Sequence, residues 1–403
     1  MDTEIELYSD ESLESFLLRL SKYRGYERFA HFAEDIWHNT LLQHDATPGA
    51  FPFELSRINL FKAQTTSQMR VRVLLDLEKQ LSLDNFAILR LALANSKVLF
   101  SPEQKALHRA GIDYPYVFLR KNSTPICPEC LKKAPYIRQL WHFMPYQVCH
   151  KHQCKLVHRC PQCGKTISYQ QSELIESCEC GYRFTACEVE KPEQSSLIVA
   201  QWLAGSQVSP LGLLSHELSP SSRCGFLLWY VNRFGDTQDI SFDDFVDCCE
   251  TWPQRLNEDL DSIVHKADLI RTLPWNKAYF REVFGELLKE CCCLPYRELS
   301  KNPVLLAIVH YFTSLVSHYP RSKSSNIADV LVSPLEAAAL LSCTSEEVIR
   351  CYQFGELKAQ IKPKLHSKLE NHQSVFTLRS IIEFKLAKMT SEEDGTVNFL
   401  PEW

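Results

Sequence analysis

The sequence predicts a mostly α-helical protein organised around tandem zinc-binding knuckles. Three observations carry this. Apolar residues recur at helical spacing, as in Leu13, Phe16, Leu17 and Leu20. Glycine is scarce, 12 in 403 residues, which favours helices over tight-turned β structure. Four paired ligand steps fall between Cys127 and Cys180. With 45% hydrophobic and 23% charged side chains, the chain has ample core for two to four domains. We expect four: a helical, helix-turn-helix-like unit over 1–110, a tandem zinc-finger region over 111–185, a helical region over 186–325 and a C-terminal helix-turn-helix over 326–403.

The chain opens with an extended arm, Met1 to Leu7. Ser9 or Asp10 is expected to cap the first helix, and Gly25 to stop it. A second helix carries Phe29, Phe32, Ala33, Ile36 and Trp37 on one face. Pro48, Gly49 and Pro52 mark a loop. Val71–Leu81 and Asn85–Ala94 read as a third and a fourth helix, which completes an all-α unit. Such a unit serves packing or partner binding more often than DNA reading. Residues from about Ser101 to Lys121 lead into the cysteine-rich stretch.

That stretch reads CPEC, CHKH, CPQC and CEC. Cys127, Cys130, Cys149 and His152 form one four-ligand set, and Cys160, Cys163, Cys178 and Cys180 a second. Paired soft ligands two residues apart suit a tetrahedral Zn²⁺, so we expect two structural zincs with no coordination position left open. His150, Cys154 and His158 are close enough in sequence to compete as ligands, and a swapped pairing between sites stays open. Pro follows the first Cys in CPEC and CPQC. Gly164 and Gly181 follow the last Cys of their knuckles, where a left-handed residue turns backbone N–H groups toward the thiolates. Ordinary buried cysteines do not fall into four spaced pairs. An odd count of 17 cysteines, without a signal-peptide pattern, fits a reducing compartment better than disulfides. Trp141, Phe143 and Tyr146, between the first two knuckles, are expected to pack around the first zinc rather than stack on bases. Gly164-Lys165-Thr166 imitates the end of a phosphate-binding loop. Arg159 stands where that loop needs Gly, so no nucleotide site is expected.

Beyond Arg183 the pattern is helical again: Leu197–Ala204, Cys224–Phe234, Phe242–Trp252, Lys277–Cys292 and Pro303–His318. Cys248-Cys249 and Cys291-Cys292-Cys293 lack partners at ligand spacing and read as small core residues. Arg321–Asn326 is a Ser- and Lys-rich hinge. Ser333 and Pro334 then open a helix as N-cap and N1, with Leu335, Ala338, Ala339 and Leu341 expected to face the core. Ser342-Cys343-Thr344 is a turn, Ser345-Glu346-Glu347 caps the next helix through Tyr352, and Gly355 ends it. Val375-Phe376-Thr377 begins a wing or a short strand. Glu346 and Glu347, against Arg350 alone, make the second helix a poor phosphate surface.

Charge is uneven. Leu119 to Arg183 holds ten Lys or Arg against four Asp or Glu; Asp236 to Asp268 holds ten Asp or Glu against two Lys or Arg. The basic segment could meet phosphate or an acidic partner, and a plain solvated face explains it as well. The longest apolar run, Val304 to Val316, is interrupted by His310 and falls short of the ~20 residues a bilayer requires. A cytoplasmic, bacterial protein is expected.

YSDESLESFLLRL from Tyr8, ELSRIN from Glu54, the series CPECL, Trp141, CHKH and CPQCG, and the C-terminal helix pair together resemble the TniQ family. These are target-selection proteins of heteromeric DNA transposons. The opening and the compact length resemble the TniQ of type I-F CRISPR-associated transposons, rather than the TnsD-type relatives that bind a fixed attachment site. The resemblance implies a non-catalytic homodimer. It would sit on Cascade, the crRNA-guided complex, near the crRNA 3′ end, and recruit the AAA+ regulator TnsC. Contact with nucleic acid would be secondary.

Overall fold

Two hydrophobic cores, both fed mainly by helices, divide the chain. The computed structural model describes residues 5–41, 49–83, 86–101, 104–206, 212–215, 218–235, 239–292, 294, 302–361 and 369–389. Met1–Glu4 of the expected arm, Pro48, Asn85, Asp236 and Cys293 lie outside them.

The first core joins the N-terminal helices to the cysteine-rich segment. Helix Leu13–Tyr23 buries Leu13, Phe16, Leu17, Leu18 and Leu20, and Gly25 (φ 86°) ends it. Its cap is Ser12, whose Oγ accepts from the Ser15 N–H at 3.2 Å, and not Ser9 or Asp10. Helix Phe29–Ile36 has no cap of its own: Glu173, 144 positions on, accepts from the Phe29 N–H at 2.9 Å. Helix Ser67–Gln80 carries the buried Arg70, which donates to the carbonyls of Gly49, Ala50, Arg57, Ile58 and Asn59. One guanidinium thus holds the loop that Gly49 and Pro52 announce. Burial lowers its pKa to about 10.

The fourth helix expected over Asn85–Ala94 does not form. Only a 3₁₀ turn, Leu89–Leu91, precedes strand β1 (Ala94–Ser101). Tertiary bonds override the helical pattern. The Leu93 N–H donates to Asn59 Oδ1 at 2.7 Å, and the Leu93 carbonyl accepts from the Phe61 N–H at 3.0 Å. Both groups are thereby taken from a helix ladder. β1 pairs antiparallel with β2 (Gln104–Arg109), and β2 with β3 (Ile112–Pro115). The N-terminal unit is therefore not all α. Ala110 and Gly111, at φ 48° and 85°, make the tight left-handed turn that a two-residue hairpin needs.

This sheet is where the two halves meet. Its apolar residues Phe100, Ala106 and Leu107 lie in the second core, and the Asp113 N–H donates to Ser221 Oγ of helix Pro220–Phe234 at 2.9 Å. From its other side Arg109 reaches into the first half, donating to the carbonyls of Ser9, Glu11 and Arg90.

The second core contains helices Gln194–Leu203, Pro220–Phe234, Phe242–Glu250, Gln254–Ile270, Phe280–Phe284, Leu287–Cys292 and Pro303–His318. Gln254–Ile270, the acidic 17-residue helix, is not among the expected elements. Its apolar stripe, Leu256, Leu260, Ile263, Val264 and Ala267, is partly hidden among acidic residues. The single helix expected over Lys277–Cys292 is broken at Gly285, whose φ 63° and ψ −140° no helix tolerates. Cys248, Cys249 and Cys291 are buried core residues, as expected.

At the C-terminal end, Ser333 caps helix Pro334–Leu341 and Pro334 occupies its first position. Ser342 turns left-handed at φ 58°. Thr344, rather than Ser345, then caps helix Ser345–Gln353, with Glu347 closing a capping box. Strand β4 (Leu331–Val332) pairs antiparallel with β5 (Phe376–Thr377), which runs directly into helix Leu378–Met389. Two helices joined by a three-residue turn are present; nothing in their packing marks them as a nucleic-acid reader. Among the described residues no helix is long and apolar enough to cross a membrane.

A buried polar chain stitches the first half together. The hydroxyls of Tyr169 and Ser12 lie 2.9 Å apart, and Tyr169 Oη is 3.1 Å from His142 Nε2. Burial, then the charges of Arg109, Arg120 and Lys62, lower the His142 pKa to about 3. The ring is therefore neutral when folded but protonates near 6.5 when unfolded. The unfolded state binds the extra proton, so His142 contributes stability that is full above pH 6.5 and is lost as pH falls toward 3. His142→Gln should flatten the fall of the urea-derived unfolding free energy between pH 6.5 and 5, by a slope approaching about 1.4 kcal/mol per pH unit at the acidic end. Parallel curves for the two proteins would refute this.

Candidate metal centres

The first centre is assembled from two short segments. Cys127 is the N-cap of helix Pro128–Lys133, with Pro128 at its first position, so Cys130 lies one turn along. Cys149 ends strand Val148–Cys149, which pairs antiparallel with Cys154–Lys155. The intervening loop, with Gln153 left-handed at φ 50°, swings His152 back over the helix. A bridge between Ile126 and Val157 fastens the two segments together beside the cluster.

The ligand atoms of Cys127, Cys130, Cys149 and His152 all lie within 4.8 Å of one another. Cys130 Sγ is 3.6 Å from Cys149 Sγ and 3.3 Å from His152 Nδ1. Nδ1 lies 3.5 Å from Cys127 Sγ and 3.6 Å from Cys149 Sγ. A tetrahedral zinc with thiolates at ~2.3 Å would hold its sulfurs about 3.8 Å apart, so the set is compact enough to close on one ion. The three thiols cannot all ionise side by side without a central cation. Hydrogen bonding with Cys130 is the largest of the effects that raise the Cys127 thiol well above its ordinary pKa.

The second centre is two small hairpins facing each other. Arg159 bridges Thr166 below CPQC, and Ser177 bridges Arg183 below CEC. Gly164 and Gly181 take φ 70° and 88°, the left-handed turns their positions predict. The ligand atoms of Cys160, Cys163, Cys178 and Cys180 also lie within 4.8 Å of one another. Cys160 Sγ is 3.7 Å from Cys180 Sγ, and Cys163 Sγ is 3.5 Å from Cys178 Sγ. Burial raises the Cys160 thiol, but the backbone N–H groups of Cys163 and Gln162 outweigh it, and the pKa settles at about 7. That sulfur is poised to bind as thiolate.

The two centres differ in setting. All three thiols of the first centre are members of the first core, whereas the second is split: Cys160 and Cys178 lie in that core and Cys163 and Cys180 are exposed. The competing residues stand aside from the eight. Cys154 Sγ approaches Cys127 Sγ at 3.6 Å but lies outside the mutually close set. His150 Nδ1 is engaged with the Tyr146 hydroxyl at 2.7 Å. His158 is held neutral, its pKa lowered to about 4 by burial and then by Arg120. Trp141 and Tyr146 pack in the core that holds the first centre, as expected. Phe143 instead stacks on Tyr114 at 4.5 Å, because its backbone bridges Leu119 at the edge of the second core. All three rings are buried, so none offers a face to a base.

Beside the first centre lie residues that ligand spacing does not reveal. Arg138 Nε donates to Cys130 Sγ at 3.3 Å, and its Nη1 pairs with Asp10. The Tyr136 hydroxyl donates to Asp10 at 2.8 Å, and Lys151 reaches the same carboxylate at 3.2 Å. Backbone bonds accompany this contact: Ser12 N–H to Ile137 C=O at 2.9 Å and Gln139 N–H to Asp10 C=O at 2.8 Å. The one hint in sequence is a lone Arg inside the apolar run IRQLW. Its partner is 128 positions away, and no local pattern could point to it.

Residues 3–156 match the family model of TniQ. The matched span covers the N-terminal helices, the three-stranded sheet and the first centre, and stops before Cys160. No curated protein matches the chain. The match points to a transposition-associated role in DNA binding or target selection, in a family that is not catalytic.

The two centres should behave differently when broken. Elemental analysis of the folded protein should find two metal ions per chain. Cys127→Ser should abolish cooperative unfolding of the N-terminal half, since structural sites of this kind contribute on the order of 10 kcal/mol to folding. Cys163→Ser should release one ion and leave that transition in place. Arg138→Met should weaken only the first ion, about 10- to 100-fold in a chelator competition. An unchanged first-site affinity would remove Arg138 from the metal's support.

Proposed function

We propose that this chain, matched to TniQ over residues 3–156, is a target-selection adaptor of DNA transposition. As a homodimer it associates with a crRNA-guided Cascade complex near the crRNA 3′ end. It recruits the AAA+ regulator TnsC, so that integration is directed to the guided target. The family match is the observation that carries this reading. The chemistry of the centres agrees with it: each has four protein ligands, and a tetrahedral ion so held keeps no position for a reacting water. We infer that both ions are zinc, given three thiolates with one imidazole in one set and four thiolates in the other.

An adaptor works by binding alone. Two contacts that are weak separately become effective when one dimer holds both, because the second contact forms at high effective concentration. The basic cysteine-rich segment and the acidic helix Gln254–Ile270 with its flanks offer surfaces of opposite sign, which suits two different partners.

A second reading is a TnsD-like, sequence-specific DNA-binding protein that selects a fixed attachment site. The excess of Lys and Arg between Leu119 and Arg183 favours it. Measuring target binding and integration separately, with and without the protein, distinguishes the two. The adaptor reading expects guided target binding to persist without the protein and guided integration to vanish. Guided integration that persists, or guided target binding that is lost, would overturn it. Tight, guide-independent capture of one duplex sequence would establish the second reading. Light scattering at micromolar concentration should give twice the chain mass; a single-chain mass would reject the homodimer.

A further inference from the structure

A groove runs between the loop that follows Phe53 and the segment that leads into the first centre. Two adjoining depressions form it, sharing Phe61, Lys62, Lys121 and Gln170. The larger has a volume of about 510 Å³ and adds Arg57, while Tyr116 lines the smaller. The groove thus spans the N-terminal half, with walls from parts of the chain more than fifty residues apart.

Its chemistry is of two kinds. Arg57, Lys62 and Lys121 are exposed cations on its walls, with Arg120 beneath them. Glu54 is the acidic residue at the rim and is paired with Arg57 at 2.9 Å, so Lys62 and Lys121 supply the net charge. Glu14 lies at the floor, where burial favours its neutral form. Between the cations stand two rings. Tyr116 is 43% exposed and meets Phe61 edge-on at 6.1 Å. Lys62 Nζ lies 5.4 Å from the centre of the Phe61 ring and donates to the Ser56 carbonyl at 2.8 Å, which fixes the ammonium at the groove wall.

Cations alternating with an accessible ring suit a polyanion that also presents flat apolar faces. An acidic peptide would use the cations and leave Tyr116 idle. A duplex would offer phosphates but keep its base faces stacked away. An unstacked strand uses both. We propose that this groove binds single-stranded nucleic acid, with phosphates on Lys62, Lys121 and Arg57 and a base stacked on Tyr116. The proposal does not rest on the adaptor reading, and either can fail without the other.

The test is fluorescence anisotropy on the full, metal-loaded chain, with labelled 20-nucleotide oligo-dT, oligo-U and a 20-base-pair duplex. Both single strands should bind, more tightly than the duplex; a preference between them would identify RNA or DNA as the natural strand. Tyr116→Ala should weaken strand binding about tenfold, and Tyr116→Phe, which keeps the ring, should restore it. Lys62→Ala and Lys121→Ala should each lower the slope of log affinity against log salt by about 0.7. Lys277→Ala, on an exposed cation of the second half, should change neither. Circular dichroism confirms folding of each variant, and if Tyr116→Ala fails to fold, the two Lys variants decide. Equal or tighter binding of the duplex, indifference to Tyr116, or an equal effect of Lys277→Ala would overturn the proposal.

Discussion

The N-terminal half is built around the cluster of Cys127, Cys130, Cys149 and His152, because its three thiols sit inside the hydrophobic core. Cys127, Cys130 and Cys149 share that core with Phe16, Phe29, Trp141 and Tyr146. Thiols so placed are small apolar residues when protonated and costly charges when not. A bound cation would resolve the conflict, turning crowded sulfurs into a cross-link between helix Pro128–Lys133 and the hairpin after it. Arg138 extends that cross-link outward. Its guanidinium touches Cys130 on one side and Asp10 on the other, so the charge of the cluster is felt at the N-terminal segment. The second centre closes two hairpins at the edge of the same core, with Cys160 and Cys178 buried in it and Cys163 and Cys180 exposed.

What the sequence made legible is the chemistry that repeats locally. The eight ligands stand at fixed short spacings and follow turn residues of known habit, and the structure groups them as those spacings suggest. Pro303–His318 and Pro334–Leu341 carry a cap, a proline at N1 and an apolar stripe, and each forms where those signals place it. The losses have a common cause. Helix Asn85–Ala94 gives way to a 3₁₀ turn ahead of β1 because Asn59 and Phe61 claim the backbone of Leu93. Ser9 and Asp10 look like caps, but Asp10 is taken by Arg138 and Ser12 caps instead. In each case a partner far along the chain outbids a good local pattern, and no window of adjacent residues contains that partner. Gln254–Ile270 is obscured differently: acidic residues interrupt its apolar stripe.

The small sheet has a larger part in the architecture than its size suggests. It buries apolar side chains with the second core, while Arg109 holds three carbonyls of the first half. A guanidinium that bonds only main-chain oxygens is insensitive to which side chains those residues carry, so the junction constrains shape more than sequence. Arg70 works in the same way on the loop after Gly49. Two buried cations bonded to carbonyls rather than carboxylates therefore fix the frame in which the groove and the first centre are set.

The tether between Asp10–Ser15 and Ile137–Gln139 has a consequence for synthesis on the ribosome. Its hydrogen bonds join residues 122 to 129 positions apart, so they cannot form until the later segment has left the exit tunnel. The segment that emerges first is among the last of its half to be fixed. Until then helix Leu13–Tyr23 exposes an apolar face with no complete surface to receive it, the kind of nascent chain that chaperones occupy. Because Arg138 leans on Cys130, completion of the tether is tied to assembly of the four-ligand cluster as well as to elongation. If an ion is bound there, its supply during translation would enter the folding schedule of the whole N-terminal half.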